Sequence, residues 1–121
     1  MLLAGDLNDA IDAATTQLFN GPTGSEIGTP GFNQADHGDG DRMWNLMLRL
    51  PPQQRGTRVF RGRAETIDHI FASHFLVTRT TAIGTATATG GLRSVTEHPG
   101  EEAGKPGSDH AAVVATFDPA Q

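Results

Sequence analysis

Three short segments carry the side chains best able to do chemistry. Gly5-Asp6-Leu7-Asn8-Asp9 sets carboxylates and an amide just after the apolar run Leu2-Leu3-Ala4. Asp68 lies inside the apolar stretch Ile67-Asp68-His69-Ile70-Phe71, and Ser108-Asp109-His110 immediately precedes Ala111-Ala112-Val113-Val114. Each polar group therefore sits in or at the end of a strand-like segment, where α/β proteins tend to place sites. A carboxylate flanked by isoleucines is costly to bury without a partner, so Asp68 calls for one. Histidine suits that role, because an Asp–His pair fixes the imidazole tautomer and serves acid–base work or a developing phosphate charge. The alternative is that Asp68 faces solvent from a half-exposed strand.

The other two segments also have plain structural readings. Asp6 and Asn8, two residues apart, could orient a water and hydrogen-bond a reacting oxyanion, or simply cap a helix. Asp109 beside His110 offers a metal ligand and a general base, or a loop acid and a strand-edge imidazole. Asp36, Asp39 and Asp41 with His37 miss the spacing of a calcium-binding loop and read as a solvated turn. His69 alternates to the opposite side of its strand from Asp68 and reads as structural. His74 and His98 have no partner pattern, and Trp44 reads as core or as a loop anchor. The chain has no Gly-x-Ser-x-Gly elbow, no phosphate-binding Walker loop and no His-Glu-x-x-His.

The elements that must position these groups follow from periodicity. Leu2 to Gly5 reads as a buried strand. Asp9 to Asn20 predicts a helix with Ile11, Ala14, Thr15 and Leu18 on one stripe, capped by Asn8 or Asp9 and stopped by Gly21-Pro22. Residues 21–41 carry six Gly and two Pro and read as a long loop. Asp41 is expected to cap a helical turn through Met43 to Met47, which Pro51-Pro52 ends. Short strands are expected over Arg58–Phe60 and Thr66–Ala72, with another strand or pair over Phe75–Thr87. Residues 89–108 form a second loop. His110–Phe117 closes the chain as a strand with apolar residues on both faces. No repeat or internal boundary is visible, so the expectation is one α/β domain with a dominant, mostly antiparallel sheet, one main helix and long loops.

Composition narrows the function classes. The chain has 121 residues, no cysteine, 15 Gly and 7 Pro, so disulfide scaffolds, thiolate zinc sites and cysteine nucleophiles are excluded. With 6% aromatics, burial is expected to rest mostly on Ala, Val, Leu and Ile and to leave a marginal core. No apolar run approaches a membrane span, and no export signal is visible, so the cytoplasm is the default expectation. A net charge of −5 argues against a bulk nucleic-acid-binding surface. Yet Arg49, Arg55, Arg58, Arg61 and Arg63 hold five of the nine bases, with no acid between Asp41 and Glu65. Such a strip suits an anionic ligand such as a phosphate ester, or is a solvated basic loop.

In order along the chain, Gly5-Asp6-Leu7-Asn8, Ile67-Asp68-His69-Ile70-Phe71 and Ser108-Asp109-His110 resemble the motifs of the endonuclease/exonuclease/phosphatase family, which has the deoxyribonuclease I-like fold. The resemblance runs from about residue 2 to residue 117. It implies a layered α/β sandwich and hydrolysis of phosphoester bonds with Mg2+ or Mn2+. By position it implies that Asp6 orients or deprotonates the attacking water and that Asn8 hydrogen-bonds the phosphate. It makes His110 the residue that contacts the phosphoryl oxygen or acts in the acid–base step, with Asp68 as its partner and Asp109 near the metal. Arg58, Arg61 and Arg63 become the expected phosphate contacts.

The resemblance covers the C-terminal half of the family's domain. The family's metal-binding Glu, an upstream Asn and an upstream His belong to the other half. This predicts weak metal binding, an unprotected first strand and a chain that supplies about half a site. A truncated product, or one half that a complementing chain completes, is expected. The expected activity is that of a nuclease or phosphodiesterase. The alternatives are an inactive fragment or interaction module, and a phosphatase acting on lipid or small-molecule phosphates.

Overall fold

The computed structural model describes residues 1–20, 23–34, 38–86, 91–96, 104 and 107–120. The chain folds as a sheet-rich mixed α/β domain. Its strands are β1 (Leu2–Asp6), β2 (Trp44–Asn45), β3 (Arg58–Phe60), β4 (Arg63–Glu65), β5 (Asp68–Ala72), β6 (Thr80–Ala86), β7 (Ser94–Val95) and β8 (Ala112–Phe117). The helices among the described residues are one-turn α1 (Ala14–Gln17) and α2 (His74–Val77), together with 3-10 turns at Pro30–Asn33, Leu46–Arg49 and Pro52–Gln54.

Strand β5 is the axis of the fold. It lies between β1 and β2, antiparallel to both. Ile70, Phe71 and Ala72 are buried, so both faces of β5 are covered. On one face Ile70 and Ala72 join Trp44, Leu46 and Val77, and Val113, Ala115 and Phe117 of β8 pack onto them with Ile83 of β6. On the other face Phe71 stacks at 5.2 Å against Phe19 and at 5.9 Å against His69. Few aromatics are present, but they anchor the core along with Met43 and Met47, so burial is not left to small aliphatics alone. Alternation along β8 sends Val113, Ala115 and Phe117 inward, while Val114 stays 53% exposed. The expectation of burial on both faces of this strand is therefore corrected: only one is covered.

Other expectations are also corrected. β1 forms where predicted but is exposed along its whole length, because β5 is its only partner among the described residues. The helix expected over Asp9–Asn20 shrinks to Ala14–Gln17. The Asp9 carbonyl accepts a hydrogen bond from the His69 side chain at 2.8 Å, and Gln17 Nε2 donates to the Ile11 carbonyl at 2.8 Å. These contacts turn the chain at residues where a helix would need its own i+4 bonds. Most of the expected apolar stripe stays uncovered: Ala14 and Thr15 are exposed and Leu18 is 81% exposed, with only Ile11 partly buried, while Thr16 is fully buried. Asp9 instead accepts from the Thr15 hydroxyl.

The turn after β2 is capped by Asn45 rather than Asp41, because Asn45 Oδ1 accepts from Met47 N at 3.0 Å. The strand expected from Phe75 begins as α2 and becomes β6 only at Thr80. Strand β4 was not expected. It pairs with β3 in a tight hairpin whose turn residues, Arg61 and Gly62, have φ of 47° and 77°. Two positive φ values mark the turn type that matches strand twist, and Gly62 supplies the second without strain. β7 adds to β3 in parallel, inside the predicted 89–108 loop. Trp44 is both core and anchor: it is 2% exposed and its indole N–H donates to the Ser25 carbonyl at 2.9 Å. His74 donates from Nε2 to the Phe32 carbonyl at 2.8 Å and stacks against Phe32 and Trp44. Asp36, His37 and His98 lie outside the described residues. No helix among the described residues is long and apolar enough to cross a membrane.

Candidate active site

The antiparallel register sets the first relation. Asp6 at the end of β1 stands directly opposite Asp68 at the start of β5. Directly opposed residues project to the same face of a sheet, so two carboxylates are held side by side. Like charges so placed repel unless a cation or proton lies between them.

The third group arrives from the segment before β8. Arg58 and His110 form an isolated antiparallel bridge, and Ala111 N donates to the Thr57 carbonyl at 2.7 Å. The Ser108 hydroxyl oxygen accepts from His110 N at 3.0 Å, which shapes the turn that presents the imidazole. His110 Nδ1 then meets Asp68 Oδ2 at 2.8 Å, with both side chains about four-fifths buried. The imidazole N–H donates and the carboxylate accepts, so Nε2 is the ring nitrogen left for other work. Asp6, Asp68 and His110 offer ligand atoms that all lie within 4.8 Å of one another. They border an open cleft of about 490 Å³, with Ser108 on its rim.

This donor set suits a hard or borderline divalent cation. Two carboxylates suit a hard cation and an imidazole a borderline one, so the donor set does not by itself select an ion.

The remaining predicted residues fall nearby but apart. Asn8 has a φ of 52°, and its backbone N–H donates to Asp6 Oδ1 at 2.7 Å. That bond holds the Asp6 carboxylate from behind, while Asn8 itself borders a neighbouring cleft with Asp9, Arg55 and Arg58. Asp109 is half-buried, adjacent in sequence to His110, and is not one of the three clustered ligands. The arginine strip is dispersed by the fold. Arg49 donates to the Thr80 carbonyl at 2.7 Å and Arg55 to the Leu50 carbonyl at 2.7 Å, so both brace loops. Arg58 pairs with Glu65 at 2.8 Å. Arg61 and Arg63 flank a separate concavity beside Phe60, and Arg61 stacks on that ring at 5.4 Å.

His69 is structural, as its alternation implied. It is 1% exposed, receives Asn45 Nδ2 on Nδ1 at 3.0 Å and donates from Nε2 to the Asp9 carbonyl. It thereby ties the chain just past Asp6 to the back of β5. The sequence reading did not single out Thr57. Its only signal is a small polar residue ahead of a strand, which is too common to select it.

The domain is sheet-rich α/β, and Asp6, Asp68 and His110 cluster where β1 ends and β5 begins. The model of the Endonuclease/Exonuclease/phosphatase family matches residues 1–110. The chain belongs to that family, which acts on phosphoester substrates. No curated protein and no solved structure gives a significant match to the chain.

Proposed function

We propose that this chain carries the catalytic pair and part of the metal site of a divalent-metal-dependent phosphoester hydrolase, acting as a nuclease or phosphodiesterase. The observation that carries the reading is the junction of Asp6, Asp68 and His110, with Asp68 and His110 at 2.8 Å. Asp68 fixes the His110 tautomer and supports the imidazolium when it forms. His110 Nε2 donates to a phosphoryl oxygen or exchanges the proton of the reacting water. Asp6, held by the Asn8 backbone, orients that water by accepting from it. Asn8 approaches the phosphate from the neighbouring cleft. Asp6 and Asp68, with Asp109 nearby, would hold a Mg2+ or Mn2+ ion, which would supply neutralisation of phosphate charge. Arg58 contacts the substrate from that same cleft only once Glu65 yields, and Arg61 and Arg63 serve a more extended anion.

In this reading the domain is one half of a layered α/β sandwich of the deoxyribonuclease I-like kind, and a further acidic ligand comes from outside the cluster. The support is that the two carboxylates leave a hard cation short of its usual six oxygens. A second reading, an interaction module without turnover of its own, is favoured by the uncovered β1 and the adjoining exposed Leu2, Leu18 and Phe19. The experiment is hydrolysis of a chromogenic phosphodiester, a phosphomonoester and a single-stranded oligonucleotide by the chain, with Mn2+ or with chelator. Metal-dependent diester cleavage that falls by roughly 100-fold or more in His110→Ala supports the first reading. Monoester preference transfers it to a phosphatase. No turnover with any substrate, together with no Mn2+-dependent rise in the melting temperature of the chain, leaves the interaction module.

A further inference from the structure

We infer that Thr57 is a positioning residue of this site, one that helps to set Asp68 against His110. The inference rests on the phosphoester-hydrolase reading for its kinetic part only. Thr57 is fully buried. Its hydroxyl oxygen accepts from Ile67 N at 3.1 Å and from Asp68 N at 3.2 Å, the two amides that open β5. Its carbonyl accepts from Ala111 N at 2.7 Å, next to His110. Its own N–H donates to the Glu65 carbonyl at 2.8 Å. One residue thus holds the backbone on both sides of the Asp–His hydrogen bond.

The bond it governs is sensitive to that placement. Asp68 and His110 are 42 residues apart; Asp68 opens β5, while His110 lies just before β8 in an isolated bridge to Arg58. Backbone bonds around Thr57 link the two segments, alongside the Arg58–His110 bridge. A side-chain oxygen accepting two strand-opening amides replaces ladder partners that β5 lacks at this end. Without it those amides are left unpaired in a buried setting, and the strand start has no reason to keep its height relative to His110. A displacement of less than an ångström is enough to lengthen a 2.8 Å bond beyond useful range. Thr57 touches neither the clustered ligand atoms nor the cleft, so its effect must pass through the pair.

The test compares Thr57→Val, which is nearly isosteric but lacks the oxygen, with Thr57→Ser, which restores it. The expected result for Thr57→Val is a kcat lower by roughly 10- to 100-fold at near-constant KM, with Thr57→Ser close to the parent. In the His110→Ala background Thr57→Val should cost nothing further, because the pair it positions is already gone. Equal losses in both backgrounds would make Thr57 a general structural residue and overturn the inference. A second readout needs no turnover. The His110 Nδ1–H proton should give a downfield hydrogen-bonded resonance in the metal-free protein, lost in Thr57→Val and kept in Thr57→Ser. If the parent shows neither activity nor a Mn2+-dependent rise in melting temperature but the resonance behaves this way, the hydrolase reading fails and the positioning role stands. An unchanged resonance in a folded Thr57→Val removes the role. Should Thr57→Val not fold, Thr57→Ser decides: a folded Ser variant that loses the resonance overturns the inference, and one that keeps it supports the oxygen as the operative group.

Discussion

Replacing Asp68 by Asn separates the two things that carboxylate does. It accepts from His110 at 2.8 Å, and it faces the Asp6 carboxylate across the β1–β5 register. Loss of its charge weakens the first interaction by about 1 kcal/mol, since Asn still offers an acceptor but not a charged one. It also relieves the repulsion from Asp6. Two charges within 4.8 Å repel by about 1 kcal/mol in water-like surroundings and about 3 kcal/mol at an effective dielectric near 20. Asp6 is exposed, so the lower value is the relevant one. The two effects nearly cancel, and the metal-free variant should melt within about 4 °C of the parent. With Mn2+ the balance changes, because one of two carboxylate ligands has gone. If the parent is held at about 100 times its Kd, binding adds about 2.7 kcal/mol, and a tenfold weaker Kd cuts that to about 1.4 kcal/mol. The assay is a pair of thermal melts, with chelator and with Mn2+, alongside kcat for a phosphodiester. Expected are coincident melts without metal, a clearly smaller Mn2+ shift in the variant, and a kcat lower by roughly 10-fold or more. A variant with the full Mn2+ shift and the parent's kcat would refute both the ligand and the pairing role of Asp68.

Two further predictions concern the frame around the site. The Thr16 hydroxyl is buried and has no hydrogen-bond partner among the described residues, so Thr16→Val should be neutral or stabilising by up to about 1 kcal/mol in urea unfolding; a loss of stability would show that the hydroxyl is used. Asn45 is fully buried and serves both His69 and Met47, so Asn45→Ala should cost roughly 2–4 kcal/mol and shift the urea midpoint down; a change under about 0.5 kcal/mol would mean the Asp9–His69–Asn45 chain is not what holds β2 to β5.

The physics of single residues made much of the site legible from the sequence. A carboxylate between isoleucines has to be paired or exposed, and a histidine at the mouth of another strand is the partner that chemistry prefers. Strands β3, β5 and β8 were likewise visible from alternation and β-branched content, because those signals are local. Family membership also rested on local motifs, and the match over residues 1–110 agrees with them.

What only the tertiary structure decided are the relations between distant segments. The direct opposition of Asp6 and Asp68 is a matter of register, and a shift of one residue would have sent one of them to the other face. The arginines form a strip in sequence but divide in space among carbonyl bracing, the Glu65 ion pair and the Phe60 concavity. The helix predicted over Asp9–Asn20 kept only four residues, with most of its apolar stripe left exposed and the Asp9 carbonyl taken by His69. Local patterns state what each segment can do. Which capacity is realised depends on the partner that burial and hydrogen bonding supply, and that partner here lies dozens of residues away.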